Sequence, residues 1–351
     1  MAQFHPLKVK SISRQTKKAV SVSFEVPTVL EPEFAFKAGQ YITLKAVINK
    51  TEVRRDYSLS SSPKSENLTV TIKEIEGGLF STYVNQQLEV GAVLEVGVPN
   101  GRFVYELNTS GQKTVVAFAA GSGITPIMSI IRTVLENDSQ GKFILVYGNK
   151  RPEETIFYDT ILELQARYSE RFKVQFVYSE VDKEGALFGR IDKGIINYIF
   201  KNISRLEASQ LFYLCGPEGM IQTARAVLSE NAVTEERIFF ELFTASEAAP
   251  STTSTPNDGA SQITVLVDDE QTTFKMLQKQ TILEAALAND IDAPYSCQGG
   301  VCSSCICRVT KGTASMRQNN ILTDNEIAEG LVLSCQAEPT SSTIEVDFDD
   351  I

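Results

Sequence analysis

Near the C-terminus the chain reads Cys297-Gln-Gly-Gly-Val-Cys302-Ser-Ser-Cys305, and a lone Cys335 follows in Leu-Ser-Cys-Gln. This C-x4-C-x2-C spacing with a distant fourth cysteine is the plant-type ligand set for a [2Fe–2S] cluster, two thiolates to each iron. Any fold must bring the tight loop and the distant cysteine together. Gly299 and Gly300 are expected to let the loop curl with φ values that other residues resist. A structural zinc ion at the same four cysteines is the alternative that the spacing leaves open.

At 351 residues the chain suits two or three domains. No apolar run approaches the ~20 residues that a membrane span needs. Met1-Ala-Gln-Phe-His-Pro-Leu-Lys lacks the layout of a signal peptide, so the expected location is the cytoplasm. In that reducing compartment six cysteines point to a metal site and not to disulfides. Of the net charge of −11, residues 261–351 carry −9, from 14 acidic and 5 basic side chains. Residues 1–243 balance at 28 of each. Nucleic acid is thereby excluded as a partner, and an acidic cysteine module suits docking on a basic partner. His5 is the single histidine, which excludes a Rieske cluster and argues against a Ser-His or Cys-His catalytic pair.

The tract 244–261 is a Ser/Thr/Pro/Ala run without periodicity and reads as a flexible linker, spanning roughly 20–25 Å as coil. Before it lie two halves. Residues 1–108 alternate in short segments (Leu7–Ser13, Ala19–Val26, Tyr41–Val47, Leu68–Ile75, Val93–Val98) and read as an antiparallel β-barrel. Residues 109–243 change to strand-then-helix, with strands at Thr114–Ala119, Lys142–Gly148, Phe172–Tyr178 and Leu211–Cys215. Helices follow at Ile127–Leu135, Phe157–Tyr168 and Met220–Glu230, so this half is an α/β domain on a parallel sheet. Residues 262–351 form the cysteine module, where Thr281-Ile-Leu-Glu284 and Thr323-Asp-Asn-Glu326 are capping boxes.

In the first half, Arg54-Arg55-Asp56-Tyr57-Ser58 places Arg55 and Tyr57 on one face of a strand and Ser58 on the other. A guanidinium can fork onto a diphosphate, a tyrosine can stack on a flat ring, and a hydroxyl can reach a ring nitrogen. Gly77-Gly78-Leu79-Phe80-Ser81 is a glycine turn entering a helix, whose exposed N–H groups hold phosphate oxygens. In the second half a buried strand runs into Gly121-Ser-Gly123-Ile-Thr125-Pro126 and a helix, the layout for close approach to a pyrophosphate. Asn149-Lys150-Arg151 ends the next strand, where basic residues can accept a ribose 2′-phosphate and favour NADPH. Cys215-Gly216-Pro217-Glu-Gly-Met220 repeats the strand, glycine turn and helix.

Taken in order, Arg55-x-Tyr57-Ser58, Gly121-x-Gly123-Ile-Thr125-Pro126 and Cys215-Gly216-Pro217 resemble the ferredoxin–NADP reductase superfamily. With the cysteine module appended, the chain is similar to its oxygenase reductases, and most of all to those serving phenylacetyl-CoA ring epoxidases. Further likeness lies in Ile75-Glu-Gly77-Gly78, Val146-Tyr-Gly-Asn149, Gly189-Arg-Ile-Asp192 and Gly330-Leu-Val-Leu-Ser-Cys335. The resemblance implies three domains: an FAD-binding barrel, an NAD(P)-binding α/β domain and a β-grasp ferredoxin domain. It implies that Arg55 binds the FAD diphosphate, that Tyr57 stacks on the flavin and that Ser58 sits near its N5. Ile72, Lys73 and Gly78, Leu79, Phe80 and Ser81 complete the flavin candidates. Gly121, Gly123, Thr125, Pro126, Asn149, Arg151, Gly216, Pro217 and Met220 are the nucleotide candidates, although Met220 by itself reads as core. Cys215 marks the nicotinamide pocket, and Glu241 matches an acidic position near the flavin. The chain does not end on an aromatic residue stacked on the flavin, as plant-type enzymes do, which leaves the gating of the nicotinamide open.

The implied activity is transfer of two electrons from NAD(P)H to FAD and their release one at a time through the cluster at Cys297, Cys302, Cys305 and Cys335. The implied recipient is a di-iron multicomponent oxygenase. Other aromatic, steroid or alkane oxygenases are alternative clients, and a flavin-less iron–sulfur redox sensor is the alternative of a different class. Cys307, two residues past Cys305 on an expected strand, is either cluster-facing or a small buried residue.

Overall fold

Apolar residues at every second position make the first hundred residues strands, since alternate side chains share one face of a pleat. The computed structural model of the chain describes residues 4–106, 114–243 and 259–351. Six strands form one sheet: β1 (Phe4–Thr16), β2 (Ala19–Glu25), β3 (Tyr41–Ile48), β4 (Thr51–Ser58), β5 (Leu68–Lys73) and β6 (Val93–Gly97). Their order is β4-β3-β6-β1-β2-β5. An antiparallel bridge from Leu59, just past β4, to Val70 of β5 joins the two edges and closes the sheet as a barrel. Val9, Val22, Ile42, Leu44, Val70 and Val96 fill its interior with no exposed surface. Helix α1 (Leu79–Gln86) lies between β5 and β6 in the chain.

The second half alternates as expected, with more elements than the sequence discloses. It runs β7 (Thr114–Ala120), α2 (Ile124–Asn137), β8 (Lys142–Asn149), α3 (Tyr158–Arg167), β9 (Phe172–Tyr178) and β10 (Leu187–Phe188). It continues through α4 (Lys193–Asn202), β11 (Leu211–Cys215), α5 (Glu218–Glu230) and β12 (Ile238–Glu241). The two-residue β10, helix α4 and strand β12 are additions to the sequence reading. Asp192 starts α4 by accepting the Ile195 N–H at 2.8 Å. The sheet is parallel in the order β10-β9-β8-β7-β11-β12. The chain therefore moves outward from β7 to β10 and returns to lay β11 on the other side of β7. That reversal opens a crevice at the carboxyl ends of β7 and β11, the place where ligands bind in such sheets.

The barrel and this sheet share one compact unit, His5–Val53 with Tyr57–Glu241. Ser129 Oγ of α2 donates to the Ser61 carbonyl at 2.6 Å, and the Tyr213 hydroxyl of β11 donates to the Val104 carbonyl at 2.9 Å.

The last module folds on its own core. It comprises β13 (Ala260–Val267), β14 (Glu270–Leu277), α6 (Ile282–Ala288), β15 (Ile306–Lys311) and β16 (Ala314–Met316). Then follow α7 (Asp324–Ala328), β17 (Leu331–Leu333), β18 (Ala337–Pro339) and β19 (Thr343–Asp347). The main sheet is ordered β14-β13-β19-β15-β17 and is parallel where β13 meets β19, a β-grasp arrangement. Both capping boxes form as the sequence predicts, on Thr281–Glu284 and Thr323–Glu326. Because β13 begins at Ala260, regular structure starts slightly before 262. The linker reading for 244–258 and the boundary at 108–109 lie outside the described residues. Among the described residues no helix is long and apolar enough to cross a membrane.

Candidate functional site

Strand β4 and the switch point build one site from opposite directions. Ser58 is buried, and its Oγ donates to Glu241 Oε2 at 3.2 Å. Glu241 ends β12, where it is the register partner of Cys215 at the end of β11. Gly123 packs against the same strand end, since a Cβ there would stand 2.1 Å from the Cys215 carbonyl oxygen. Thr125, two residues on in the first turn of α2, is buried. The fold thus gathers Ser58, Gly123, Cys215 and Glu241, four residues far apart in sequence. Burial pushes the Cys215 thiol well up, and the Glu241 charge adds to the shift. The thiol is neutral and offers shape and weak polarity, not a nucleophile.

Tyr57 leans on Phe80, with ring centroids 5.8 Å apart and planes at 39°. Arg55 is exposed on the same strand, its Nη1 donating to the Arg54 carbonyl at 2.6 Å. The glycine turn before α1 has Gly77 at φ +73, a conformation that favours glycine. Gly78 caps the helix without a side-chain cap, so the first-turn N–H groups of Leu79, Phe80 and Ser81 have no carbonyl partner within the helix. The Ser81 hydroxyl closes the turn, accepting from Ile75 N at 3.2 Å and donating to Gly78 O at 3.3 Å. What Ser81 offers an anion is therefore its N–H. The Phe80 and Ile72 side chains belong to the barrel core, where the Ile72 carbonyl accepts from Asn85 Nδ2 at 3.1 Å. Lys73 Nζ stands 3.8 Å from where a Cβ on Gly121 would lie, so a cation adjoins the nucleotide turn. A helix N-terminus without a side-chain cap and a glycine turn suit the phosphates of a dinucleotide, and the guanidinium exposed on β4 is a group that can fork onto such phosphates.

The turn Gly121–Gly123 is pinned from β8, whose buried Tyr147 donates through its hydroxyl to the Gly121 carbonyl at 2.9 Å. Asn149 Nδ2 and the Tyr178 hydroxyl are both buried without a hydrogen-bond partner. They are register partners at the carboxyl ends of β8 and β9. Orphaned polar atoms at a ligand-binding edge mark where a bound nucleotide would supply the missing partner. Tyr178 was invisible in the sequence, where it reads as the last apolar residue of a strand. Pro217 caps α5, and Met220 packs back over Gly216, its methyl 2.8 Å from where a Cβ would lie, so Met220 shapes the turn as core.

Lys150 and Arg151, the expected 2′-phosphate acceptors, are both engaged by Glu180. Its carboxylate takes Arg151 Nη2 at 2.5 Å and Lys150 Nζ at 3.4 Å. The Arg151 hydrogen bond holds the Glu180 carboxyl below its usual range. A 2′-phosphate would have to displace this carboxylate. Glu180→Gln is expected to raise kcat/KM for NADPH relative to NADH on the order of fivefold, as suits exposed charge contacts. Steady-state kinetics with both donors checks it.

In the second unit the four cysteines converge. The Cys302 thiol donates to the Cys297 sulfur at 3.1 Å, and Cys335 is hydrogen-bonded to both Cys297 and Cys305. The Gly299 N–H donates to the Cys297 sulfur at 3.3 Å and Gln336 Nε2 to the Cys335 sulfur at 3.6 Å. The loop curls through Gln298 (φ +53) and Gly300 (φ +69), so the left-handed positions are these two and not Gly299. Hydrogen bonds from Cys302 and Cys335 pull the Cys297 thiol down, while sharing with Cys297 pushes Cys302 up. Four thiolates this close cannot all ionise without positive charge among them, and sulfur donors are the set that soft iron–sulfur cores take. The residues fit the cluster on that chemistry. Among the described residues no group of three or more His, Cys, Asp or Glu side chains is arranged around a single metal ion. Cys307 is fully buried in the module's apolar core, and His5 sits on β1, 3.0 Å from Glu33. A separate polar cleft of about 440 Å³, lined by Lys64, Arg132, Glu136 and Arg167, contains none of the candidate residues.

Comparison with known proteins assigns a family to each part. Residues 6–105 match the oxidoreductase FAD-binding domain, 118–226 the oxidoreductase NAD-binding domain, and 265–340 the 2Fe-2S iron-sulfur cluster binding domain. The chain is 35% identical to one of the subunits of the 1,2-phenylacetyl-CoA epoxidase of Escherichia coli (strain K12), over 99% of each protein. It is 31% identical to the ferredoxin reductase component of the 3-ketosteroid-9-alpha-monooxygenase of Rhodococcus rhodochrous, over 97% of this chain and 96% of that one. Among solved structures, phthalate dioxygenase reductase shares the fold with a TM-score of 0.62, at 24% identity and 98% coverage of both chains.

Proposed function

The chain belongs to the ferredoxin–NADP reductase superfamily, in its branch of oxygenase reductases with a C-terminal plant-type [2Fe–2S] domain, and from that membership we propose that it serves a phenylacetyl-CoA ring epoxidase. It is an oxidoreductase with FAD-binding, NAD-binding and [2Fe–2S] domains. The recipient in this reading is a di-iron oxygenase component, and the setting is the cytoplasm, which six free cysteines support.

The observation that carries the reductase reading is the Ser58–Glu241 hydrogen bond of 3.2 Å, because it joins the flavin strand to the crevice at the switch point. When bound, FAD converts a two-electron donor into single electrons and the cluster passes them on. The chain's own residues orient and exclude water. Arg55 and the N–H groups of Leu79 to Ser81 would hold the diphosphate, and Tyr57 would cover the flavin ring. Ser58 and Glu241 would offer a hydroxyl and a carboxylate where nicotinamide and flavin meet. Gly121, Gly123 and Gly216 would leave room for the nucleotide backbone, and Asn149 and Tyr178 would pair with its adenosine end.

Bleaching of a visible flavin band and of cluster absorbance by NAD(P)H tests the chemistry; a reconstituted protein without flavin would sink it and favour the iron–sulfur sensor. Reconstitution with the epoxidase oxygenase component tests the client. Turnover with a steroid oxygenase instead would favour the second reading, which the 31% relative supports. Arg55→Ala is expected to weaken FAD retention by at least about tenfold, the size of one charge-assisted contact. Flavin occupancy after gel filtration reads this directly.

A further inference from the structure

One side chain bridges the two parts of the ligand set without being a ligand. Gln336 follows Cys335, and its primary amide has two N–H donors on one nitrogen. Nε2 donates to the Gln298 carbonyl at 3.0 Å, inside the tight loop, and to the Cys335 sulfur at 3.6 Å. Sulfur is larger than oxygen, so the second contact is the longer one. The Gln298 carbonyl can only accept, which sets the nitrogen and not the oxygen of the amide on that side. The backbone holds the residue as well. Gln336 N donates to the Leu333 carbonyl at 2.8 Å, and the Gln336 carbonyl accepts from Arg317 N at 2.9 Å. Its Cγ lies over Gly300, 3.0 Å from where a Cβ would stand. With 9% of its surface exposed, Gln336 donates where water competes little. The Gly299 N–H on the Cys297 sulfur, at 3.3 Å, is a backbone donor that no side-chain change removes.

We propose that Gln336 is a positioning residue that raises the reduction potential of the cluster by donating one N–H to the Cys335 thiolate while the other ties down the loop at Gln298. Reduction adds one electron, and with it negative charge, to a site already held by four thiolates. A donor aimed at one sulfur stabilises that charge, so the reduced form gains more than the oxidised one. The tie to Gln298 keeps the amide from swinging away, and it couples the loop to the strand that carries the fourth cysteine.

This inference rests on the iron–sulfur reading of the four cysteines. Iron and acid-labile sulfide per chain are measured first on the unaltered full-length protein. Absence of iron overturns the cluster reading itself, whereas a normal cluster leaves Gln336 to be judged alone. Gln336→Met keeps the length of the side chain and removes both donors. The Met variant is expected to favour the oxidised cluster about tenfold more than the unaltered protein, a fall of ~59 mV in the one-electron midpoint. Redox titration monitored by EPR reads the midpoint, and the flavin midpoint should not move. The sign separates this role from a merely structural one. A loop that is only loosened admits water, which stabilises the added charge and moves the midpoint up. An unchanged or raised cluster midpoint therefore overturns the proposal. Should the Met variant fail to load, the unaltered protein decides. Nitrogen-15 placed in glutamine side chains must couple to its reduced cluster in pulsed EPR, and absence of that coupling overturns the proposal.

Discussion

Cys302→Ser is expected to cut electron delivery to a one-electron protein acceptor by at least about 100-fold, while NAD(P)H-driven reduction of ferricyanide stays within about twofold. The physical reason lies in the ligand set. Cys302 is buried and contacts Cys297 at 3.1 Å, so it is held as a member of the four-sulfur group. A serine oxygen is harder and far less acidic than a thiol, and it is a poor substitute on iron. The substitution also leaves the first half of the mechanism alone. The cysteine module packs on an apolar core of its own, built from residues between Ile263 and Phe348. Equal loss of both activities would mean that electrons do not enter at the flavin.

What was legible in the sequence is what chemistry ties to spacing. Closely spaced cysteines in one loop can be read directly, as can a Thr-x-x-Glu capping box or a glycine turn before a helix. Each is a local requirement, met by neighbours in the chain. The residues that escaped notice act across the fold. Glu180 lies after β9 and meets Lys150 and Arg151 from after β8, a pairing that only the parallel register creates. Tyr178 looks like one more strand residue until its hydroxyl is found without a partner beside Asn149. The loop glycines show the limit within a motif: composition allowed either Gly299 or Gly300 to take the left-handed conformation, and the structure gives it to Gly300 and to Gln298. Met220 and Phe80 show the converse, since position in a motif suggested ligand contact and packing claimed the side chains.

Gly123→Ala is the substitution expected to injure the nucleotide side most. The backbone there is ordinary, φ −60 and ψ −7, so alanine meets no conformational strain. The difficulty is space. The added methyl would lie 2.1 Å from the Cys215 carbonyl oxygen, 2.5 Å from its carbon and 2.9 Å from Gly216 N, all backbone atoms of the neighbouring strand end. No side chain can swing away to relieve that overlap, so the turn after β7 must lift off β11. The same movement shifts Thr125 at the start of α2, and it strains the Tyr147 hydrogen bond to Gly121. A displacement of about 1 Å in a positioning element is enough for roughly 100-fold in rate, since the reacting groups must be aligned before transfer. Flavin reduction by NAD(P)H should slow by that factor in stopped flow, with FAD occupancy retained because Arg55 and the turn at Gly78 are untouched. The thermal midpoint should fall by several degrees, as overpacking of about 1–3 kcal/mol implies. A variant that reduces its flavin within about twofold of the normal rate would show that the crevice between β7 and β11 is not where the nicotinamide is held.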